Sequence, residues 1–459
     1  MKEKWIEHIK SVILIMLVVL SFVLTGFLWY SSPPYEEKNE TVFVPPYPFS
    51  DKKYNSKEIY QLVSPYQIII HHGGRHRWIR PESKMYRDLL NEARQADFDA
   101  VTGVEPSPDL WNRLFNQVPG IELQFSRDVS ASRLDAFFDE SLRQQPLLNR
   151  LENISRIWLY SEPETKQTRI WFISDKEQEI VQAEVQLKND NLDSLVAQAA
   201  SEKGPSLTAI PADGKVPWDP ANQSQSFSRV FYLPDQPLAM NRSIYKTKEI
   251  KVTEMNQWLS RNPSVNPIIL NNNEEMYMYD EDESLTYNKQ GNFMIYNDTN
   301  NQAEGTYLSV TDEIGNINHF VQDHRGWTGN YLLDEIKVSE EDDAHQYIFR
   351  LIVQGYPVYW EDQKTIRPDT IELQTGYQGS VSKYIRSMLY LTGQPDQTEI
   401  KLKPWLQVLA SKKIPLQTVE HIFPGYRARL TGNKEKQVIL DPAWVVILNN
   451  GKTTMISSP

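Results

Sequence analysis

From Ser11 to Tyr30 the chain reads SVILIMLVVLSFVLTGFLWY, twenty residues without a charge. A helix rises about 1.5 Å per residue, so this run extends about 30 Å, the thickness of a bilayer's hydrocarbon core. Lys2, Lys4 and Lys10 precede it, and Glu36 and Glu37 follow it. That asymmetry predicts a single-pass transmembrane helix over 11–30 with residues 1–10 in the cytoplasm and the bulk of the chain, from about residue 31, extracytoplasmic. Trp5 suits the inner interface, and Trp29 and Tyr30 the outer one. A cleaved signal peptide would need a shorter apolar stretch and a small-residue site of the A-x-A kind. The first alanine of the chain is Ala93, so the run is read as an anchor in the cell membrane.

Inside the run, Ser11, Leu14, Val18, Ser21, Thr25 and Leu28 follow one another at spacings of three and four, which places them on one helix face. Ser21 and Thr25 form a small-xxx-small pair with Gly26 beside it. Small residues let helices approach closely in lipid, so these seven positions are a candidate transmembrane interaction face. The plainer alternative is that small residues occur in many spans without a partner.

The rest of the chain is acidic. The totals are 48 basic and 60 acidic residues, and residues 1–10 hold three lysines and two glutamates. That leaves 45 basic against 58 acidic, a balance of −13 outside the span. Such a surface argues against nucleic acid, which needs a basic face, and against tight docking on anionic lipid. The absence of cysteine excludes disulfides, thiol nucleophiles and Cys-ligated metal or iron–sulfur sites.

Residues 31–50 hold five prolines and read as an extended stalk. A first α+β domain is expected over 51–205. In it QIIIHHGG is a buried strand and turn, KMYRDLLNEARQA a helix, SPDLWNRLFNQ a helix capped by Ser107, and SASRLDAFFDESL a helix capped by Ser130. SRIWLY, TRIWFIS and IVQAEVQL read as strands, and DNLDSLVAQAAS as a helix. Residues 206–240, rich in Pro, Ser and Gln, read as a linker or irregular crossover. A central α+β domain over 241–335 opens with a helix near KEIKVTEMNQWLS. Strand-like runs follow, GTYLSVTDEIGNINHFVQ among them. A C-terminal α+β domain over 336–459 starts on the strand YIFRLIVQGYPVYW and the strand TIELQTG. SVSKYIRSMLYLTG is expected as an amphipathic helix ended by Gly393, PWLQVLASKK as a helix, and the last residues as strands.

Catalytic chemistry finds little support. His71, His72 and His76 lie in HHGGRHRWIR. Gly73 and Gly74 break any helix, and Arg75, Arg77 and Arg80 repel a cation, so a polar edge or an anion contact is the better reading than a metal. Asp280–Ser284 imitates an EF-hand loop, but Leu285 and Gly291 stand where a glycine and a bidentate glutamate are required. Glu340–Asp343 reads as a solvated loop. Gly451–Thr453 is half a P-loop, with Val446 in place of its first glycine. No catalytic, cofactor-binding or metal residues are assigned. Paired carboxylates of a hydrolase have no local signature and stay open.

The span, the proline-rich stalk and a cysteine-free ectodomain occur together with GYPVYWED, IELQTGYQGSVSKYIRSMLYL and ILDPAWVVILNNG. Over essentially the whole chain this combination resembles the YycH family of Gram-positive bacteria. The resemblance implies an N-terminal transmembrane helix followed by a three-domain α+β extracytoplasmic region of helices and antiparallel sheets, the last two domains YycI-like. It further implies a non-enzymatic regulator in a two-component system. Such a regulator acts with a YycI-type protein on an essential WalK (YycG)-type sensor histidine kinase that controls cell-wall metabolism, through transmembrane and extracytoplasmic contacts. It implies no cofactor, and its motifs carry over no site residue. The competing expectations are an extracytoplasmic binding module that senses cell-wall fragments, and a cell-wall hydrolase.

Overall fold

The computed structural model describes residues 2–30, 57–138, 151–188, 192–202, 204–221, 229–259, 265–302, 308–338, 344–361, 368–431 and 436–457, with the single positions 142, 145 and 148. The expected stalk and the Glu340–Asp343 loop lie outside them. The chain divides into two compact units, Met1–Pro45 and Pro46–Pro459. The first contains helix α1, Lys2–Tyr30. Its described side chains from Val12 to Thr25 are all exposed, and they are fourteen of the twenty residues of the uncharged run. Among the described residues no helix is long and apolar enough to cross a membrane.

The second unit is built on two sheets. The first has nine strands: β1 (Gln67–His72), β2 (Arg75–Ile79), β3 (Asp97–Val104), β4 (Gly120–Gln124), β5 (Arg156–Ser161), β6 (Thr168–Ser174), β7 (Glu179–Gln186), β8 (Leu207–Pro211) and β9 (Val230–Pro234). Their order is β3-β7-β6-β5-β4-β1-β2-β8-β9, antiparallel throughout. β1 has Ile68, Ile69 and Ile70 all buried, as a strand covered on both faces requires. The turn to β2 places Gly73 and Gly74 at φ 58° and 69°, the left-handed pair of a two-residue hairpin. The short helix α2 (Ile59–Leu62) enters the unit, and α3 (Lys84–Arg94) packs Leu89, Leu90 and Ala93 inward. The caps expected for α4 (Pro108–Asn112) and α5 (Ala131–Leu134) form: Ser107 accepts from Leu110 N and Ser130 from Arg133 N. One π-turn, Arg113–Gln117, follows α4, and α6 (Leu192–Ser201) completes the layer.

The second sheet has fourteen strands: β10 (Leu238–Glu249), β11 (Ile268–Asn271), β12 (Glu274–Met278), β13 (Glu283–Asn288), β14 (Phe293–Asp298), β15 (Asn330–Val338), β16 (His345–Val353), β17 (Tyr356–Trp360), β18 (Thr370–Thr375), β19 (Val381–Ser387), β20 (Leu389–Leu402), β21 (Val419–Leu430), β22 (Gln437–Leu448) and β23 (Thr453–Ser457). The main path is β11-β12-β13-β14-β19-β18-β16-β17-β21-β22-β10-β20, with β15 on β16 and β23 on β22. β17 and β21 run parallel; the other described pairings of this sheet are antiparallel. Helices α7 (Val252–Leu259), α8 (Val310–Asp323) and α9 (Trp405–Lys412) belong to this half. Mixed α+β with antiparallel sheets is therefore the class observed.

Three expectations are corrected. GTYLSVTDEIGNINHFVQ, expected as strand, holds α8: Ser309 caps it, and Ile314, Ile317 and Val321 bury one face. SVSKYIRSMLYLTG, expected as helix, is β19 and the start of β20; β14 and β18 flank β19, and a strand between two neighbours leaves no room for a helix. The expected linker at 206–240 supplies β8 and β9, which close one edge of the first sheet.

Gly120 of β4 sits in close contact with β5. A Cβ there would meet Leu159 O and Trp158 Nε1, each at 2.8 Å. Gly120→Ala should destabilise the chain by about 1–3 kcal/mol, the usual cost of overpacking. The urea midpoint followed by tryptophan fluorescence checks this, with Gly204→Ala, whose Cβ meets nothing within 4 Å, expected near wild type.

Candidate functional site

The seven residues expected as a contact face fall on α1. The side chains of Ser11, Gly26 and Leu28 lie outside the described residues. At 100° per residue, Leu14, Val18, Ser21 and Thr25 fall within a stripe about 60° wide. Leu14 and Val18 are exposed. Thr25 Oγ1 donates to Ser21 O at 2.8 Å. The hydroxyl proton is thus satisfied by the helix's own backbone, and the Oγ lone pairs remain to accept a bond from a neighbour.

The histidine cluster lies in the interior, a correction to the expected polar edge. The hairpin turn at Gly73–Gly74 sets His71 opposite His76, and both are buried, while His72 is exposed. Their Nδ1 atoms are 2.9 Å apart, so one of them carries the proton. His71 Nε2 lies 3.3 Å from Glu122 Oε2, and its ring stacks on Trp158 at 4.0 Å. Tyr232 OH donates to Glu122 Oε2 at 2.5 Å and Gln124 Nε2 to Oε1 at 3.0 Å. Burial pushes the His71 imidazole down, and burial followed by the neighbouring His71 takes His76 down to about 3. Burial alone would raise Glu122, but His71, Arg156 and Tyr232 outweigh it and hold the carboxyl below its usual range. The pair of imidazoles is therefore neutral beside an anionic Glu122, in a buried polar network.

A second polar cluster joins the two sheets. β15 and β16 slip register between Leu333 and Glu335, so Asp334 is the extra residue of a β-bulge. It receives Arg350 Nε at 2.6 Å, and Arg350 Nη1 reaches Asp369 Oδ2 at 2.8 Å. All three side chains are buried. The guanidinium stacks over Tyr359, 4.0 Å from its ring centre. From the first half, Tyr66 OH donates to Asp334 Oδ1 at 3.1 Å, Ser126 Oγ to Asp334 O at 3.1 Å, and Arg133 to Leu333 O. Burial works against the Asp334 charge, yet Arg350 more than compensates and its pKa stays depressed.

A cleft opens beside this joint, walled by Tyr66, Arg80, Arg229, Tyr356, His421 and Phe423. Arg229 spans it: Nη2 holds Asp128 at 2.9 and 3.1 Å, and Nη1 donates to Glu420 O at 2.7 Å and lies 3.3 Å from His421 Nε2. Asp128, Glu420 and His421 place ligand atoms close enough for a metal ion. A guanidinium already clasps Asp128 in that group, and its charge repels a cation. Although burial opposes it, His421 and Arg229 bring Asp128 down to about 2. Sequence reading missed both arginine clusters because their members stand far apart in the chain. The one local signal was Arg350 within the apolar run YIFRLIV, where a buried cation requires an anion.

Comparison with known proteins gives a consistent result. The family profile of the YycH protein N-terminal domain matches residues 7–201, and that of the YycH protein C-terminal domain matches residues 228–457. A curated relative, the two-component system WalR/WalK regulatory protein YycH of Bacillus subtilis (strain 168), is 22% identical over 469 residues, covering 98% of this chain and 96% of the relative. The crystal structure of YycH from Bacillus subtilis superposes with a TM-score of 0.65 at 18% identity, covering 88% of this chain and 98% of that one.

Two outcomes test the buried clusters. Replacing Asp334 with Ala removes one of the two carboxylates that hold the buried guanidinium and should cost about 1–3 kcal/mol of unfolding free energy, against a much smaller loss for exposed Glu281→Ala. The second concerns pH. His76 titrates at about 3 when folded, against an ordinary value of 6.5. Between these values the unfolded chain holds a proton that the folded chain lacks. Its stability is therefore full above pH 6.5 and falls as pH drops toward 3, by up to about 1.4 kcal/mol per pH unit for one proton. His76→Gln should flatten the dependence of stability between pH 6.5 and 4.5, measured by urea unfolding.

Proposed function

Because this chain belongs to the YycH family, we propose that it is a non-enzymatic, membrane-anchored regulator of a WalK-type sensor histidine kinase that controls cell-wall metabolism, acting with a YycI-type protein. The observation that carries the proposal is the end-to-end likeness to a WalR/WalK regulatory protein. In this reading α1 crosses the cell membrane once, with the N-terminus cytoplasmic and the two-sheet unit extracytoplasmic, as the lysines before the uncharged run and the acids after it favour.

Regulation of this kind needs unequal contact, not chemistry. A protein that binds two kinase states with different affinity shifts their balance by that difference, typically about 1–3 kcal/mol. Helix contacts through small residues in lipid supply energies of that order. The stripe of Leu14, Val18, Ser21 and Thr25 is the contact assigned to the span, with Ser11, Gly26 and Leu28 continuing it in the sequence. Asp175 of the cleft and Asp128 beside it are clasped by Arg156 and Arg229, which supports the non-enzymatic reading.

Ser21→Phe combined with Thr25→Phe should prevent close helix approach while leaving the span apolar. Co-purification with the kinase from membranes should then fall several-fold, and kinase autophosphorylation should move toward its value without the regulator. Unchanged values in both would reject the span as the contact.

A further inference from the structure

One face of the second sheet, over β11–β14 and β19, is exposed or half-buried along its middle among the described residues. Burial alternates along β13 and through the middle of β14 and β19, while Val381 and Ser387 at the ends of β19 are buried as well. Leu285, Tyr287, Met294, Tyr296 and Tyr384 are buried on one face, where Phe320 of α8 packs on Tyr296 and Tyr384. The opposite face carries the residues in between: Ser284, Thr286, Asn288, Asn297 and Lys383 are polar, but a row of largely apolar side chains crosses among them, where a sheet face in water is ordinarily polar throughout. Ile268, Met276, Thr286, Ile295 and Ile385 are successive cross-strand partners and form one row across β11, β12, β13, β14 and β19. Each is exposed or half-buried.

The row runs out to an open edge. β11 is the terminal strand of the sheet, and all four of its residues are exposed, with Ile269 at 71% and Ile268 at 50%. Met278, two residues along β12 from Met276, is exposed as well. Edge strands are ordinarily blunted with charge or proline. The opposite edge strand, β20, is blunted in that way by Pro395, Asp396, Glu399 and Lys401. β11 is short, follows Pro267 and pairs with β12 through a bulge, but it carries no charge, and contiguous exposed apolar residues of this kind mark interaction surfaces.

The charge around the face selects among occupants. Asp280, Glu281 and Asp282 stand exposed at the β12–β13 turn, Asp298 ends β14 beside them, and Glu372 of β18 lies next to Ile385. Lys383 is the basic residue on the same side of β19. An acidic rim repels anionic lipid headgroups. It also repels itself in a two-fold contact between copies, which would set the same acids against each other. It attracts a partner of opposite charge.

We propose that the open face of β11–β14 and β19 docks a protein partner through an apolar strand or helix flanked by lysine or arginine. The inference deepens the regulator reading, on which it rests, by assigning the extracytoplasmic contact. The test uses the full chain in lipid nanodiscs and, as probes, the purified extracytoplasmic domains of the kinase and of the YycI-type protein. Ile268→Gln with Met278→Gln changes two exposed side chains, and circular dichroism should show the fold unchanged. This variant should bind at least one of the probes tenfold or more weakly than wild type does. Glu281→Lys should slow association with that probe several-fold, and wild-type binding should weaken steeply as salt rises. Wild type and the glutamine variant binding both probes equally would overturn the inference and leave the regulator reading standing. Wild type binding neither probe would overturn both. A self-association of the chain, seen by sedimentation and abolished by the glutamine variant, would show that a second copy occupies the face and would overturn the hetero-partner.

Discussion

The arrangement of the two-sheet unit depends on one buried guanidinium. Arg350 sits mid-strand in β16 between Leu332 of β15 and Thr370 of β18, where no water can solvate it. Taking a charge into such a place costs several kcal/mol, offset only by good geometry from more than one partner. Asp334 and Asp369 supply it, and Asp369 also accepts the backbone N–H of Trp360 at 3.0 Å. Asp334 reaches the site because a bulge turns it there, and the same carboxylate receives Tyr66 from the other half of the unit. One ion cluster therefore sets the register of β15 and also fixes where the nine-stranded sheet docks on the fourteen-stranded one.

The contacts around this joint share its character. Lys57 donates to Asn330 and Tyr331 O, and Asn318 of α8 donates back to Lys57 O. Arg229 ties the β8–β9 segment to β21. The seam between the halves thus combines directional polar bonds with apolar packing of Tyr66 against Leu332, Ile352 and Phe423. A seam of that kind makes the halves move together. It suits a body whose proposed task is to present surfaces to neighbours in the membrane without performing chemistry.

Much of the first sheet was legible because its signals are local. The Gly73–Gly74 turn, the serine caps at 107 and 130, and the period-two pattern of Ile180–Val185 each depend on residues close in sequence. The misread segments are those decided by distant neighbours. Val381, Tyr384, Ile385 and Met388 stand at helical spacing, but β14 and β18 on either side impose a strand. In α8 the β-branched and aromatic residues suggested a strand, whereas Ser309 and the spacing of Ile314, Ile317 and Val321 carried the helix. The histidines looked like a charged edge because Arg75 and Arg77 flank them. Alternation across β2 sends His76 inward and leaves Arg75 outside, and nothing near in sequence announces Glu122 or Tyr232. The arginine clusters join residues separated by up to 268 positions, a relation that one sequence does not display.

The most direct test of the proposed regulatory role is the autophosphorylation rate of the WalK-type kinase reconstituted in vesicles, measured while this chain is co-inserted at increasing ratio. Regulation by unequal contact predicts a rate that changes in one direction and saturates once each kinase has its partner. A rate that stays constant across the titration, with both proteins shown to be inserted, would contradict it.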